Sequence, residues 1–184
     1  MNGIGLLAIG ETDSAMMESL RAALETEFGV HCEILEASLD PAPSFHLERG
    51  QYSSTDILDR MQKGFAPESD HLLGVTPLDL YIPILTFVFG EAQLNGSCAV
   101  VSTHRLRQEF YGLPADGGLL LERLVKEAVH ELGHSLGLVH CDDYRCAMAA
   151  SHDVEAIDVK GKSLCSDCRA RALALMTRKP AVKR

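Results

Sequence analysis

The run His130-Glu-Leu-Gly-His134 places two imidazoles four residues apart with a carboxylate between them. On an α-helix that spacing puts both rings on one face, one turn apart, so they can reach a single metal ion while Glu131 projects beside them. Gly137 follows, a residue suited to the left-handed conformation that ends a helix, and the reversal carries His140 back toward the same point. Three neutral histidines suit Zn²⁺ and leave a fourth position for water. A carboxylate at Glu131 could take that water's proton and pass it to a leaving amine, which is metal-assisted amide hydrolysis. The five fixed positions of His-Glu-x-x-His-x-x-Gly-x-x-His would coincide by chance in roughly one chain in ten thousand. Met148 stands eight residues beyond His140, where enzymes with the extended motif place a methionine turn beneath the metal.

A second cluster begins at the next residue. Cys141, Cys146, Cys165 and Cys168 form two pairs separated by a loop, a pattern that suits a tetrahedral structural zinc. A redox or disulfide pair, an iron–sulfur cluster and independent buried thiols are the competing readings. Cys165 and Cys168 open a helical stretch, Arg169–Met176, whose N-terminal dipole favours thiolates, and Arg169, Arg171 or Lys162 could offset the cluster's charge. Cys32 and Cys98 fall in apolar strands and read as core residues.

Positioning these groups requires a framework. The pattern predicts a strand over Ile4–Ile9, a helix capped near Thr12–Ser14 and running to Phe28, and a strand over Val30–Leu35. A helix follows from about Ser53 to Phe65, with strands near Leu72–Val75 and Ser97–Ser102. Pro83–Phe89 reads as a sheet edge, because proline cannot donate to an interior ladder. Asp116 caps a helix that carries the histidine motif and stops near Gly137. The fold class is α+β, with an α/β-like upper layer of helices on a mixed sheet.

Composition limits the alternatives. The 184 residues are 46% hydrophobic and 23% charged, which fits one globular domain and excludes wholesale disorder. No apolar run is long enough to cross a bilayer, and the N-terminus lacks the basic start of a secretory signal. A reducing, cytoplasmic setting is therefore expected, where clustered cysteines bind metal. Residues 160–184 carry eight basic residues and one acidic, or +7, against −16 for the rest. The tail from Thr177 has no aromatic stacking partners, so no nucleic acid and no membrane partner is expected. Four thiolates would take the formal charge from −9 to −13, and two Zn²⁺ ions would return it to −9.

The run from His130 to Met148, followed by Cys165-Ser-Asp-Cys168, resembles the archaemetzincin family of metzincin-clan zinc metallopeptidases. The resemblance implies a metzincin-like single catalytic domain over 1–184. Residues 1–137 would form an upper subdomain of twisted mixed sheet, packed helices and active-site helix, and 138–184 a small zinc-stabilised lower one. It implies His130, His134 and His140 as catalytic zinc ligands, Glu131 as general base, Met148 as the methionine turn and the four cysteines as structural zinc ligands, with two zincs per chain. It also implies a peptide substrate laid along an edge strand by strand addition. Pro83–Phe89 is the candidate strand, and Glu91 could meet a substrate amine, giving an aminopeptidase-like enzyme. Tyr144 could stabilise the oxyanion. Short peptides and a monomer are expected. The alternative is a zinc-stabilised module that binds a peptide or protein without turnover, which would need no general base at Glu131.

Overall fold

The computed structural model describes residues 3–65 and 71–176. The expected tail from Thr177 onward therefore lies outside the described residues. The chain starts with β1 (Gly3–Ile9), α1 (Ser14–Phe28) and β2 (His31–Leu39), a parallel strand–helix–strand unit. Asp13 caps α1 by accepting from the Ala15 and Met16 amides at 2.8 and 3.2 Å. Next come two short strands, β3 (Phe45–His46) and β4 (Gln51–Ser53), then α2 (Ser54–Gly64), capped by Ser53. β5 (His71–Thr76), β6 (Leu80–Tyr81), β7 (Gly90–Ala92) and β8 (Cys98–Ser102) precede the long α3 (Gly117–Ser135), and α4 (Val154–Val159) and α5 (Ser166–Met176) complete the described chain.

The main sheet has the order β2-β1-β5-β8-β7, parallel except for β7, and β3-β4-β6 form a second small sheet. Alternation divides the sheet's residues between two cores. Ile4, Leu6, Leu73, Val75, Ala99 and Val101 face α1 and α3. Leu7, Ile9, Leu72, Cys98 and Val100 face α2 through Ile57, Leu58 and Met61. The central strands are thus buried on both faces and read as continuous apolar runs. Cys32 and Cys98 are core residues, 1% and 0% exposed, as their apolar surroundings in sequence predict.

One expectation is corrected. Pro83–Phe89 is not an edge strand: Leu85 N–H turns back to Ile82 C=O at 3.1 Å, Val88 makes a single bridge to Leu80, and only Phe89 C=O, accepting from Ser102 N–H at 2.8 Å, reaches β8. Arg49 donates to Leu85 C=O and Gln51 to Thr86 C=O, so side chains, not a ladder, satisfy this segment. Its aromatic residues serve packing, with Phe87 against Phe89 at 5.2 Å and the Arg105 guanidinium 4.2 Å over Phe87. The sheet edge falls a few residues later, on β7.

The segment after α3 is not a bare loop between the cysteine pairs. It contains α4, capped by Asp153 through the Ala156 amide at 2.8 Å, and is tied to α5 by Ala147 N–H on Ser163 C=O at 3.0 Å. Glu27 of α1 anchors the cysteine-bearing end, accepting from Leu164 N–H at 3.0 Å and from Arg169 at 2.6 Å. Arg169, one of three residues that could offset the cysteine cluster's charge, is paired with Glu27.

Candidate active site

α3 begins where Asp116 accepts from the Leu119 amide at 2.9 Å and is buried almost continuously from Arg123 to Gly133. Its end is a Schellman closure. Gly137 N–H bonds to His134 C=O at 2.8 Å and Leu138 N–H to Gly133 C=O at 2.9 Å, with Gly137 at φ 101°. A side chain there would be strained, which is why the third position of the motif's second half is glycine. The chain then doubles back and brings His140 to the helical pair.

The three rings converge. His130 and His134 have centroids 4.6 Å apart, His134 and His140 4.9 Å, and His130 and His140 5.3 Å. One nitrogen from each lies within 4.8 Å of the other two, and the Nε2 atoms of His130 and His134 are 3.1 Å apart. Zinc–nitrogen bonds of about 2.1 Å at tetrahedral angles put ligand atoms about 3.4 Å apart. His130 Nδ1–H donates to Ala147 C=O at 2.9 Å and His134 Nδ1–H to Leu138 C=O at 2.8 Å. Both bonds select the tautomer with a lone pair on Nε2. Burial, then the nearby Lys160 charge, pushes His130 down to about 3, and burial lowers His134, so both rings are neutral at physiological pH. The donor set fits a divalent cation of zinc's preferences.

Glu131 is buried beside this cluster. Burial and then the Glu127 charge raise its carboxyl well above the ordinary range, the signature of a carboxylate that needs a positive group nearby. Its side chain lies against Gly90 of β7, where a Cβ would come within 2.6 Å of Glu131 Cγ and of Val100 C=O. Gly90→Ala must therefore displace Glu131 or the strand. It is expected to lower kcat/KM by about 10²-fold, the usual effect of misplacing a catalytic group by about an ångström, with the fold retained by circular dichroism.

Met148 is fully buried beneath the helix. It packs so closely on Gly133 that a Cβ there would overlap Met148 Sδ. Its carbonyl accepts from Cys141 N–H at 3.0 Å, which pins the residue next to His140.

The four cysteines also come together, all Sγ atoms within 4.8 Å of one another and Cys141 Sγ 3.9 Å from Cys165 Sγ. A tetrahedron with bonds of about 2.3 Å has edges of about 3.8 Å. No S–S bond joins any of the six cysteines. Amides point at the sulfurs: Cys165 N–H to Cys146 Sγ at 3.3 Å, Met148 N–H to Cys146 Sγ at 3.4 Å and Cys168 N–H to Cys165 Sγ at 3.5 Å. Burial raises the Cys146 and Cys168 thiols, while the Cys168 amide lowers Cys165. A dication bound there would offset that burial cost and keep all four as thiolates.

Two expected residues find other surroundings. Glu91 pairs with Val100, whose side chain faces α2, and both its oxygens accept from Thr55 Oγ1 of that helix at 3.0 and 3.1 Å. Its neighbour Gly90 faces Glu131, so Glu91 is turned to the opposite side. Tyr144 is 64% exposed, with Arg145 5.7 Å over its ring. Sequence reasoning missed Gly90, Gly133, Glu127 and Lys160. The first two are close approaches visible only in three dimensions, although the buried charges of α3 interrupt its apolar stripe and are a signal in themselves.

Comparison with known proteins supports the same assignment. The model of peptidase family M54 matches residues 43–173. The archaemetzincin of Methanocaldococcus jannaschii is 41% identical over 160 residues, 87% of each chain. The crystal structure of archaemetzincin from Methanopyrus kandleri superposes with a TM-score of 0.84 at 35% identity over 96% of both chains. A zinc-dependent peptidase from Methanocorpusculum labreanum does so at 0.83 and 33% identity, covering 92% of this chain and all of that one. The chain belongs to peptidase family M54, the archaemetzincins, and is a zinc metallopeptidase.

Proposed function

We propose that the chain hydrolyses short peptides at a zinc held by His130, His134 and His140, with Glu131 as general base. Cys141, Cys146, Cys165 and Cys168 would hold a second, structural zinc. The reading rests chiefly on the convergence of three imidazoles, two of them committed through Nδ1 to backbone carbonyls, beside a buried carboxylate. Zinc bound there would supply a Lewis acid that polarises the scissile carbonyl and acidifies a water molecule. Glu131 accepts the proton from the attacking water and delivers it to the leaving amine nitrogen. Met148 is the floor beneath the histidines. The upper subdomain (1–137) and the lower one (138–184) are the units expected to flank the cleft, and the protein works as a cytoplasmic monomer.

Strand addition has a specific register here. Ser102 N–H bonds to Phe89 C=O and Gln93 N–H to Cys98 C=O, so Phe89, Glu91 and Gln93 direct their backbone groups to β8. By alternation Gly90 and Ala92 present theirs to the outer edge, and an extended peptide pairs with those two residues. Since Glu91 is engaged by Thr55, it does not support an amine anchor, and an aminopeptidase-like preference would need another acidic group. Zinc-loaded protein is expected to cleave short peptides, free and N-acetylated alike, and to lose that activity to a chelator. Peptide binding without cleavage by the fully zinc-loaded protein would establish the non-catalytic alternative instead.

A further inference from the structure

The end of α4 is fastened to one face of α3. Arg123 makes a bidentate pair with Asp158 at 2.7 and 2.6 Å, and Lys126 Nζ donates to Asp158 C=O at 3.1 Å. Lys160, the next residue but one, is 2% exposed, with Nζ 2.7 Å from Glu127 Oε1. Residues 123, 127, 130 and 134 share a helical stripe, so this fastening runs along the line that carries His130 and His134.

Lys160 reaches further than an ion pair. Its ammonium donates to Ala149 C=O at 3.3 Å, next to Met148, and lies 3.5 Å from His130 Nδ1. That nitrogen already donates its proton to Ala147 C=O, so the ammonium stands against the ring edge without competing for the hydrogen bond. One charge thus touches the active-site helix, the turn containing Met148 and the first imidazole. Burying an ion pair is a poor route to stability, because desolvation offsets the attraction and apolar residues often replace such pairs without loss. A role in holding geometry accounts for the expense.

We infer that Lys160, with Glu127, is a positioning residue of the catalytic centre, holding the His130 ring and the Met148 turn in register with α3. The inference rests on the zinc reading of the three histidines. Glu127 is also one turn from Glu131, so the Lys160 ammonium shields the general base from a like charge at helical spacing.

The test is zinc affinity at the histidine site by chelator competition, in wild type, Lys160→Met, Lys160→Arg and Glu127→Leu/Lys160→Met. Cobalt substitution separates the sites, since thiolate ligation gives an intense charge-transfer band that three imidazoles do not. Loss of a partner outside the ligand set typically weakens a metal about 10–100-fold. Lys160→Met is expected to show that loss at the histidine site with the cysteine site unchanged, and Lys160→Arg to recover part of it. The double variant, whose apolar pair keeps the protein folded, should retain the weakened site. Wild-type affinity in the double variant, or parallel loss at both sites in it, overturns the inference. Failure of the underlying reading looks different: wild type itself would then bind no metal at the histidines.

Discussion

Glu131→Gln is expected to lower kcat/KM for peptide hydrolysis by about 10²–10⁴-fold, the usual contribution of a positioned general base. Glutamine keeps the size and the buried contact with Gly90 but cannot take a proton from water. The loss should therefore fall on kcat, with KM little changed and metal content intact. Steady-state kinetics on a short fluorogenic peptide, together with zinc analysis of the same sample, measure both. Activity within a few-fold of wild type would remove Glu131 from the mechanism and favour a metal centre working without a protein base.

Cys168→Ser should have the largest effect on stability. Cys168 is buried, 3% exposed, on the face of α5 that also buries Ala172, and its sulfur completes the cluster with Cys141, Cys146 and Cys165. Binding free energies for structural zinc are on the order of 10 kcal/mol. Losing one thiolate should release that metal and lower the melting temperature markedly. The damage should also reach the catalytic centre, because Cys141 follows His140 directly and its amide is held by Met148 C=O. Zinc per chain should fall and hydrolysis should drop with it. A variant that keeps its melting temperature and full metal content would show that the four cysteines are bystanders.

Much of the site is legible in sequence because its geometry is local. His130, Glu131 and His134 depend only on the helical repeat, and Gly137 marks the reversal that returns His140. The cysteine pairs state their own tetrahedral logic, and the caps Asp13, Ser53 and Asp116 announce their helices. What is not legible depends on contacts between distant segments. The edge strand was expected at Pro83–Phe89 because that stretch is aromatic and contains proline. The structure uses those rings to pack against Arg105 and gives the edge to Gly90–Ala92, a tripeptide with no strand propensity of its own. Glu91 is adjacent to Gly90 in sequence, yet the two-residue period of the sheet sends it to the opposite face. Arg169 stands one residue after Cys168, but Glu27, 142 residues away, captures it. Lys160 reads as one of many basic residues near the C-terminus until the fold buries it against Glu127.

Two zinc centres of different chemistry in one chain would give separate signals at the metal edge. Anomalous diffraction at the zinc edge from crystals of the zinc-loaded protein tests for both directly. Two peaks per chain are expected, one bounded by Nε2 atoms of His130 and His134 and a ring nitrogen of His140, the other enclosed by the sulfurs of Cys141, Cys146, Cys165 and Cys168. Absence of a peak at either position in fully loaded crystals would contradict the two-zinc assignment.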